Sequence, residues 1–290
     1  MSVFLANLMV NTRNEFTHFL AIYYLYTKKR TNMRRILLVF YLLSGMLFAS
    51  EDNLLDVKNI HGLYSRTKVE DLTNFRIQVT GFIYDSETKA NCTGTLIGPK
   101  HVITAAHCVY NFKTKAWSNA LTFTPGKLSK DDAGKGTFSF KRIFLQKEYV
   151  ENMSEDFDFA LIELDTSIGE TTGWVGFRSL KKEEISEAKS MSISFAGYPG
   201  DKEIGSLWKV TCPAAFKEKL LTYFCDSYGG MSGSALFQTG DAQNFIIGIH
   251  TFGGIEKNGG VYIDSKNYIL IDAWKNSTKY PTNTLIYLKK

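Results

Sequence analysis

Gly229-Gly230-Met231-Ser232-Gly233-Ser234-Ala235 is the stretch on which the interpretation of this 290-residue chain depends. By itself, a loop so rich in glycine and serine indicates only a turn. Two further patterns precede it in the chain, Thr104-Ala105-Ala106-His107-Cys108 and Asp158-Phe159-Ala160-Leu161-Ile162-Glu163-Leu164. Together the three segments supply a serine and the two side chains, a histidine and an aspartate, that can activate its hydroxyl for nucleophilic catalysis.

The segments around these residues resemble the chymotrypsin clan of serine proteases and, within it, the bacterial glutamyl endopeptidases. The resemblance covers roughly residues 66–275, and five motifs in the same order carry it: Cys92–Ile97, His107–Asn111, Gly197–Lys202, Gly230–Ser234 and Gly248–His250. It implies an all-β fold of two tandem six-stranded antiparallel β-barrels. The active site is then expected in the cleft between the barrels. A short helix is expected near the C-terminus.

The resemblance also implies the catalytic roles. Ser232 is expected to be the nucleophile, and His107 the base that takes its proton. Asp158 is expected to hold the imidazole in the right tautomer. The backbone N–H groups of Gly230 and Ser232 are expected to form the oxyanion hole, which stabilises the negative charge that develops on the substrate carbonyl.

Three neighbouring residues define alternatives to this assignment. Asp156 lies close to Asp158 in the sequence, but only Asp158 matches the family motif in register. Ser234 also follows a glycine, and the motif assigns it a structural role. Met231 stands where the animal digestive enzymes carry an aspartate that pairs with a newly freed N-terminal amine, so activation by that ion pair is not expected.

The rest of the sequence is typical of an all-β protein with short strands and many turns. Residues Phe75–Ile83 alternate with period two, which predicts a half-buried strand. Helical periodicity predicts one helix, over Tyr268–Trp274. The further candidate strands are Thr93–Ile97, His101–Ala105, Phe138–Leu145, Phe159–Leu164, Met191–Phe195, Leu220–Phe224, Ala235–Phe237 and Phe245–Thr251.

Two residues give conflicting predictions for the substrate side chain before the cut bond. Asp226 stands where trypsin-like enzymes hold the acid that binds Lys or Arg. His250 resembles the histidine with which glutamyl endopeptidases bind a carboxylate, and Ser227 resembles the hydroxyl residue that helps it. Because an aspartate in that pocket would repel the carboxylate, we expect Asp226 to point away and cleavage to follow Glu, with Asp weaker. The alternative is a Lys/Arg preference through Asp226. Thr251 and Gly253 are expected to pair with the substrate backbone as an added strand.

The N-terminal region resembles a secretory leader. Residues 33–49 combine Arg34 and Arg35 with an apolar run and the small residue Ala49, as a signal peptide does. The run is shorter than the about 20 residues of a membrane-spanning helix. We expect Met33 to be the start and residues 1–32 to be an extension; a longer leader is the alternative.

The mature protein is expected to be a single protease. Residues 50–66 are the candidate propeptide, residues 67–280 the protease domain with its two barrels, and residues 281–290 a C-terminal tail. Four cysteines after a signal peptide predict disulfides in an oxidising compartment. Pairing Cys92 with Cys108 and Cys212 with Cys225 is one of three connectivities.

Charge and composition limit the partners. The formal net charge of +5 is carried by residues 1–49, and acidic and basic residues balance in the remainder, so bulk charge gives no case for nucleic-acid binding. We expect a secreted or periplasmic monomer that acts on protein or peptide substrates, with no cofactor, no metal and no stable membrane anchor once the signal is removed. The non-enzymatic alternative is a protease-like binding module that has lost catalysis.

Overall fold

The computed structural model describes residues 60–187, 191–240 and 243–289, and these ranges contain sixteen strands and five α-helices. The strands are β1 (Thr67–Lys68), β2 (Thr80–Asp85), β3 (Asn91–Leu96), β4 (His101–Thr104), β5 (Tyr110–Asn111), β6 (Ala116–Trp117), β7 (Leu121–Pro125), β8 (Phe138–Gln146), β9 (Ala160–Leu164), β10 (Met191–Gly197), β11 (Trp208–Lys217), β12 (Leu220–Tyr223), β13 (Ala235–Gln238), β14 (Ile246–Phe252), β15 (Asn258–Tyr262) and β16 (Thr284–Leu288). The helices are α1 (Phe75–Val79), α2 (Lys147–Asn152), α3 (Gly169–Thr172), α4 (Lys182–Glu187) and α5 (Ser265–Asn276).

The N-terminal predictions lie largely outside these ranges. The extension at residues 1–32, the signal peptide at 33–49 and most of the candidate propeptide fall on residues that are not described. Within the described ranges, none of the helices has the length and apolar character needed to cross a membrane.

Two closed antiparallel barrels form the fold, as the sequence predicted. In the first barrel the strands follow the order β8-β7-β2-β3-β4-β9, and β9 pairs back with β8. In the second they follow the order β11-β10-β13-β14-β15-β12, and β12 pairs back with β11. Closure satisfies the backbone hydrogen-bonding groups that an open sheet would leave at its edges. One extra strand joins each barrel, β16 on β8 and β1 on β11.

Helix α5 belongs to the second half of the chain but packs on the first barrel. Its Trp274 is 1% exposed, and the indole ring lies 5.7 Å from the ring of Phe159. A buried aromatic pair of this kind adds about 0.5–1.5 kcal/mol beyond the area that it buries. Phe159 directly follows Asp158 in the sequence, so this packing fixes the start of β9 and, with it, the position of Asp158.

The strand predicted over Phe75–Ile83 is wrong in its first half. Phe75–Val79 forms helix α1, and the side chain of Asn74 caps it by accepting the N–H of Arg76. Period-two alternation misleads here because both Ile77 and Val79 are buried in so short a helix. The prediction also missed several strands: β7, β11, β15 and β16, the last of which lies in the C-terminal tail.

The cysteines form two nearest-neighbour disulfides. Cys92–Cys108 has a Cα–Cα distance of 6.1 Å, and Cys212–Cys225 one of 5.5 Å. The first bridge joins the start of β3 to the turn that carries His107, and the second joins β11 to the segment before Asp226. Each closes a short loop and contributes about 3 kcal/mol on the chain-entropy model.

Candidate active site

Strand pairing in the first barrel brings His107 and Asp158 together. Thr104 at the end of β4 is paired with Ala160 at the start of β9, so the residues just beyond these ends meet. Nδ1 of His107 lies 2.7 Å from Oδ2 of Asp158, and the backbone N–H of His107 donates to Oδ1 at 3.0 Å. Both carboxylate oxygens therefore hold the histidine in one orientation.

This pairing sets the protonation behaviour of the histidine. Burial works to lower the pKa of His107, but the charge of Asp158 and the hydrogen bond to it outweigh burial, and the net pKa is raised above the ordinary value. The ring stays accessible from the cleft, with 35% of the side chain exposed. Asp158 therefore stabilises the imidazolium that forms when His107 takes up a proton.

Ser232 lies in the loop between β12 and β13 and faces the same space. It lines a cavity of ≈ 370 Å³ together with His107, Gly230 and the Cys92–Cys108 disulfide. No hydrogen bond joins its Oγ to His107 among those of the described residues. In unliganded proteases this contact is often long and tightens when substrate binds.

The two expected oxyanion-hole amides are available to a substrate. The N–H groups of Gly230 and Ser232 have no hydrogen-bond acceptor within the part of the chain that is described. Gly230 has φ +99°, and a Cβ atom there would lie 2.3 Å from the backbone oxygen of Tyr198. Only glycine fits this conformation and this close approach.

Neither alternative residue competes with the triad in this geometry. Oγ of Ser234 donates to the carbonyl of Met231 at 2.7 Å, and Ser234 is fully buried. Asp156 lies 3.5 Å from Nζ of Lys219 in an ion pair on the surface. Ser234 is therefore not accessible to a substrate, and Asp156 is engaged elsewhere.

In the second barrel, His250 forms a buried polar site on β14. It is 2% exposed, and its Nδ1 lies 2.7 Å from the hydroxyl of Tyr223 and 3.1 Å from the carbonyl of Gly259. Burial lowers the pKa of His250 to about 4. Its Nε2 has no protein partner among the described residues, so this nitrogen is free to meet a ligand.

Two buried hydroxyl groups belong to the residues predicted to bind substrate, one on β14 and one in the loop between β12 and β13. Within the described residues, Oγ of Ser227 and Oγ1 of Thr251 are both buried and make no hydrogen bond. A buried hydroxyl left unpaired costs free energy unless a ligand satisfies it. Thr251 follows His250 on β14, and Gly253 comes directly after that strand ends.

Asp226 is buried against the beginning of the described chain. Its Oδ1 accepts the backbone N–H groups of His61 at 2.7 Å and Gly62 at 2.8 Å, and its own N–H donates to the carbonyl of Tyr64 at 3.0 Å. These contacts come from residues more than 160 positions earlier in the chain. They hold one side of the carboxylate against the segment 61–64.

Asn258 is a further candidate that the sequence reasoning missed. It is completely buried, and its side chain donates to the carbonyl of Cys225 at 2.7 Å and accepts the N–H of Gly254 at 3.2 Å. These two partners lie next to Asp226 and next to Gly253, which is one of the predicted substrate-binding residues. The signal available in the sequence was one asparagine before two glycines, which is more typical of a turn.

Metal-type donors cluster at one place within the described residues, where Cys92, His107 and Cys108 lie close together. The two sulfurs are bonded to each other, whereas metals bind the thiolate form of cysteine. Nδ1 of His107 faces Asp158. This donor set does not fit a metal ion.

The chain is similar to several known proteins. The trypsin family profile matches residues 68–271. A Bacillus subtilis (strain 168) protein named extracellular metalloprotease is 32% identical over 228 residues, which cover 77% of this chain and 71% of that protein. A Bacillus licheniformis glutamyl endopeptidase is 30% identical over 232 residues, with the same coverage of 77% and 71%. A solved structure of Glu endopeptidase in complex with MPD matches with a TM-score of 0.64 at 28% identity, over 75% of this chain and 99% of that one.

Proposed function

The chain belongs to the trypsin family and is a serine endopeptidase, and we propose that it is secreted and cuts its substrates after glutamate by a Ser232–His107–Asp158 triad. The proposal is carried by the unsatisfied buried groups of His250 and Ser227, which the family resemblance assigns to the same pocket. A buried imidazole with one free nitrogen and a buried hydroxyl without a partner among the described residues are donors for a substrate carboxylate.

Catalysis follows from the roles of the three side chains. Oγ of Ser232 attacks the substrate carbonyl carbon while Nε2 of His107 takes the hydroxyl proton. The carbonyl electron pair moves onto its oxygen, which accepts the N–H groups of Gly230 and Ser232. The C–N bond then breaks, His107 gives its proton to the leaving amine, and an acyl-enzyme remains. Water attacks the acyl carbon with His107 as base, and Ser232 leaves with the proton. Asp158 stabilises the imidazolium in both halves.

The preference for glutamate follows from the hydrogen-bond donors that the pocket offers and from the engagement of Asp226 with other groups. A substrate carboxylate transferred from water into a buried site must find hydrogen-bond donors there. His250 and Ser227 offer donors to it, whereas a Lys or Arg side chain would meet them without an opposite charge. Asp226 is the group that would favour Lys or Arg, and the backbone N–H groups of His61 and Gly62 already hold its Oδ1.

The same contacts support a proposal for where the propeptide ends. If residues up to 66 were removed, Asp226 would keep a buried carboxylate without the amides of His61 and Gly62. An uncompensated buried charge is strongly destabilising. We therefore place the processing cut ahead of His61, inside the candidate propeptide of residues 50–66. N-terminal sequencing of the secreted protein tests this, and a mature chain that begins after Gly62 contradicts it.

Secretion and the monomeric state complete the proposal. The signal-like residues 33–49 and the two disulfides suit an oxidising compartment, and the B. subtilis relative is named as extracellular. Among the described residues the donors at Cys92, His107 and Cys108 do not fit a metal ion, so the proposed mechanism is that of a serine protease and not of a metalloprotease. Detection of the protein in culture medium, and its mass in solution by light scattering, test these two statements.

The catalytic assignment is tested with two serine variants. Ser232→Ala should abolish both casein hydrolysis and labelling by an organophosphate, because the nucleophile is gone. Ser234→Ala is the matched control, since it removes a hydroxyl two residues away and should keep labelling. A Ser232→Ala protein that still hydrolyses casein would contradict the proposal. A folded parent protein that neither hydrolyses casein nor reacts with the organophosphate would also contradict it and would favour a binding module.

Digestion of a peptide library tests the specificity separately. We expect cuts mainly after Glu, fewer after Asp, and few after Lys or Arg. His250→Ala should lose much more activity on Glu peptides than on peptides with a neutral residue at that position. Cuts mainly after Lys and Arg would place Asp226 in the pocket and leave the triad assignment intact.

A further inference from the structure

We propose that Thr93 is a positioning residue for the oxyanion hole. It lies on β3 of the first barrel and is completely buried. Its hydroxyl and its backbone N–H hold the loop of the second barrel that carries Gly230 and Ser232. The inference rests on the proposed function, because it concerns the loop assigned there as catalytic.

Each of four consecutive carbonyl groups, from residue 229 to residue 232, accepts a hydrogen bond from the surrounding protein. In order, the donors are Gly200 N–H to Gly229 at 2.7 Å, Thr93 Oγ1 to Gly230 at 2.9 Å, Ser234 N–H and Oγ to Met231 at 3.1 Å and 2.7 Å, and Thr93 N–H to Ser232 at 2.8 Å. In a trans peptide the C=O and N–H point in opposite directions. The N–H groups of Gly230 and Ser232 share their peptide units with the carbonyls of Gly229 and Met231, so turning these two carbonyls into the protein leaves both N–H groups facing the cleft. Thr93 holds the carbonyls of Gly230 and Ser232 themselves and so fixes the other side of the same two residues.

The three residues that supply these donor groups divide between the two barrels. Gly200 and Ser234 come from the second barrel, which the catalytic loop itself belongs to. Thr93 comes from the first barrel, which carries His107 and Asp158. Gly200 and Ser234 thus fix the loop within its own barrel, whereas Thr93 fixes it relative to the base. Catalysis depends on the position of the loop relative to His107, because the oxyanion donors and the base must act at the same substrate carbonyl group.

Geometry determines how the Thr93 hydroxyl uses its single proton. The backbone N–H of Tyr198 lies 3.1 Å from Oγ1 and can only donate to it. The carbonyl of Gly230 can only accept, so the hydroxyl proton goes to that oxygen. Serine can make the same two bonds, but valine, which has nearly the same shape as threonine, can make neither.

Thr93 is itself fixed to the strand that leads to the base. Its carbonyl accepts the hydroxyl of Thr104, the last residue of β4, at 2.8 Å. The loop fits closely against this pair: a Cβ atom at Gly233 would lie 2.1 Å from the oxygen of Thr93 and 2.2 Å from Oγ1 of Thr104. A small shift of Thr93 would therefore be passed directly to the residue next to Ser232.

The test compares Thr93→Val and Thr93→Ser in the full secreted protein. With Thr93→Val we expect kcat to fall by about ten- to a hundredfold, less than the about 10²–10³-fold that follows loss of an oxyanion donor itself. KM should change little, because the oxyanion hole acts on the transition state. Affinity for a peptide aldehyde, whose tetrahedral adduct uses the same hole, should fall in parallel with kcat.

Thr93→Ser should keep kcat and aldehyde affinity near the parent values, although loss of the buried methyl group lowers its melting temperature. Thr95→Val is the matched control: Thr95 is on the same strand and completely buried, and its hydroxyl has no partner among the described residues. That variant should leave kcat unchanged. If Thr93→Val does not fold, Thr93→Ser still tests the inference, because a tenfold or larger fall of kcat in that folded protein would overturn it.

Three results overturn the inference. One is a folded Thr93→Val protein with parental kcat. Another is a loss in Thr93→Ser as large as in Thr93→Val, which would show that packing alone matters. The third is an equal loss in Thr95→Val. Failure of the proposed function looks different, since Ser232→Ala would then remain active whatever residue stands at position 93.

Discussion

Tyr223 should decide whether the pocket binds a carboxylate. Nδ1 of His250 has two neighbours but can serve only one of them well, either by donating to the carbonyl of Gly259 or by accepting the hydroxyl proton of Tyr223. The first arrangement leaves Nε2 as an acceptor facing the pocket, and the second leaves it as an N–H donor. Burial raises the pKa of Tyr223 well above its ordinary value, so its hydroxyl keeps the proton that it donates.

The lowered pKa of His250 makes the tautomer important. With a pKa of about 4 the imidazole is neutral at pH 7 in the free enzyme. Protonating it there costs about 4 kcal/mol, at about 1.4 kcal/mol per pH unit. A neutral Nε2–H, preset by Tyr223, binds the carboxylate without that cost.

The perturbation is therefore Tyr223→Phe. It removes only the hydroxyl, and Nδ1–H then donates to Gly259, which turns the lone pair of Nε2 toward the carboxylate. Loss of a hydrogen bond to a charged group costs about 1.5–3 kcal/mol, so kcat/KM on a Glu peptide should fall about ten- to a hundredfold near pH 8. The deficit should shrink toward pH 5.5, because protonation of His250 becomes easier. A Gln peptide should lose little, since its amide can donate to the bare nitrogen.

The assay is kcat/KM for two fluorogenic peptides that differ only by Glu or Gln before the cut bond. His250→Ala is the matched background, and adding Tyr223→Phe to it should change the Glu:Gln ratio no further. The reasoning is refuted if Tyr223→Phe leaves that ratio unchanged, or if the deficit grows as the pH falls.

Three further predictions concern stability. Asn258→Leu removes the partner of the buried carbonyl of Cys225 and of the half-buried N–H of Gly254, so the thermal midpoint should fall by several degrees and KM for Glu peptides should rise. Because the pKa of His250 is lowered in the folded protein, the unfolded chain binds a proton at this histidine first, near the ordinary pKa of 6.5. The free energy of unfolding should therefore decrease as the pH falls from 6.5 to 4, by about 3 kcal/mol at pH 4. Urea titrations of inactive Ser232→Ala protein should show this decrease, and adding His250→Ala should make it smaller. Replacing both Cys212 and Cys225 by serine should lower the free energy of unfolding by about 3 kcal/mol, measured in the same way.

Much of the fold could be predicted because the information is local. The motifs around His107, Asp158 and Ser232 occupy a few consecutive residues each, and most strands show apolar runs bounded by turns. The prediction failed where local patterns are ambiguous. Helix α1 alternates like a strand, and its one distinguishing signal was the capping residue Asn74. Strand β15 begins Asn258-Gly259-Gly260, which favours a turn by composition and becomes a strand only through pairing with β12 and β14.

The conflict between Asp226 and His250 could not be settled locally for a related reason. Both residues lie in the second barrel, and each matches a known specificity pattern. The groups that hold Asp226 are backbone amides of His61 and Gly62. These contacts do not depend on the side chains at the two positions, so a sequence motif does not reveal them. A resemblance can carry over side chains, but not contacts that every amino acid except proline can make through its backbone N–H.

Thr93, Tyr223 and Asn258 share a property that could guide such searches. Each is a polar residue that is at most 1% exposed, each lies on a strand, and each makes a side-chain hydrogen bond to another segment, Thr93 to Gly230, Tyr223 to His250 and Asn258 to Cys225. Burying a polar side chain is unfavourable unless its hydrogen bonds are made, so such a position persists only where the bond it makes matters. In the sequence Thr93 and Tyr223 look like ordinary strand residues, and Asn258 looks like a turn residue. What distinguishes them is the partner, and the partner is known only once the barrels have closed.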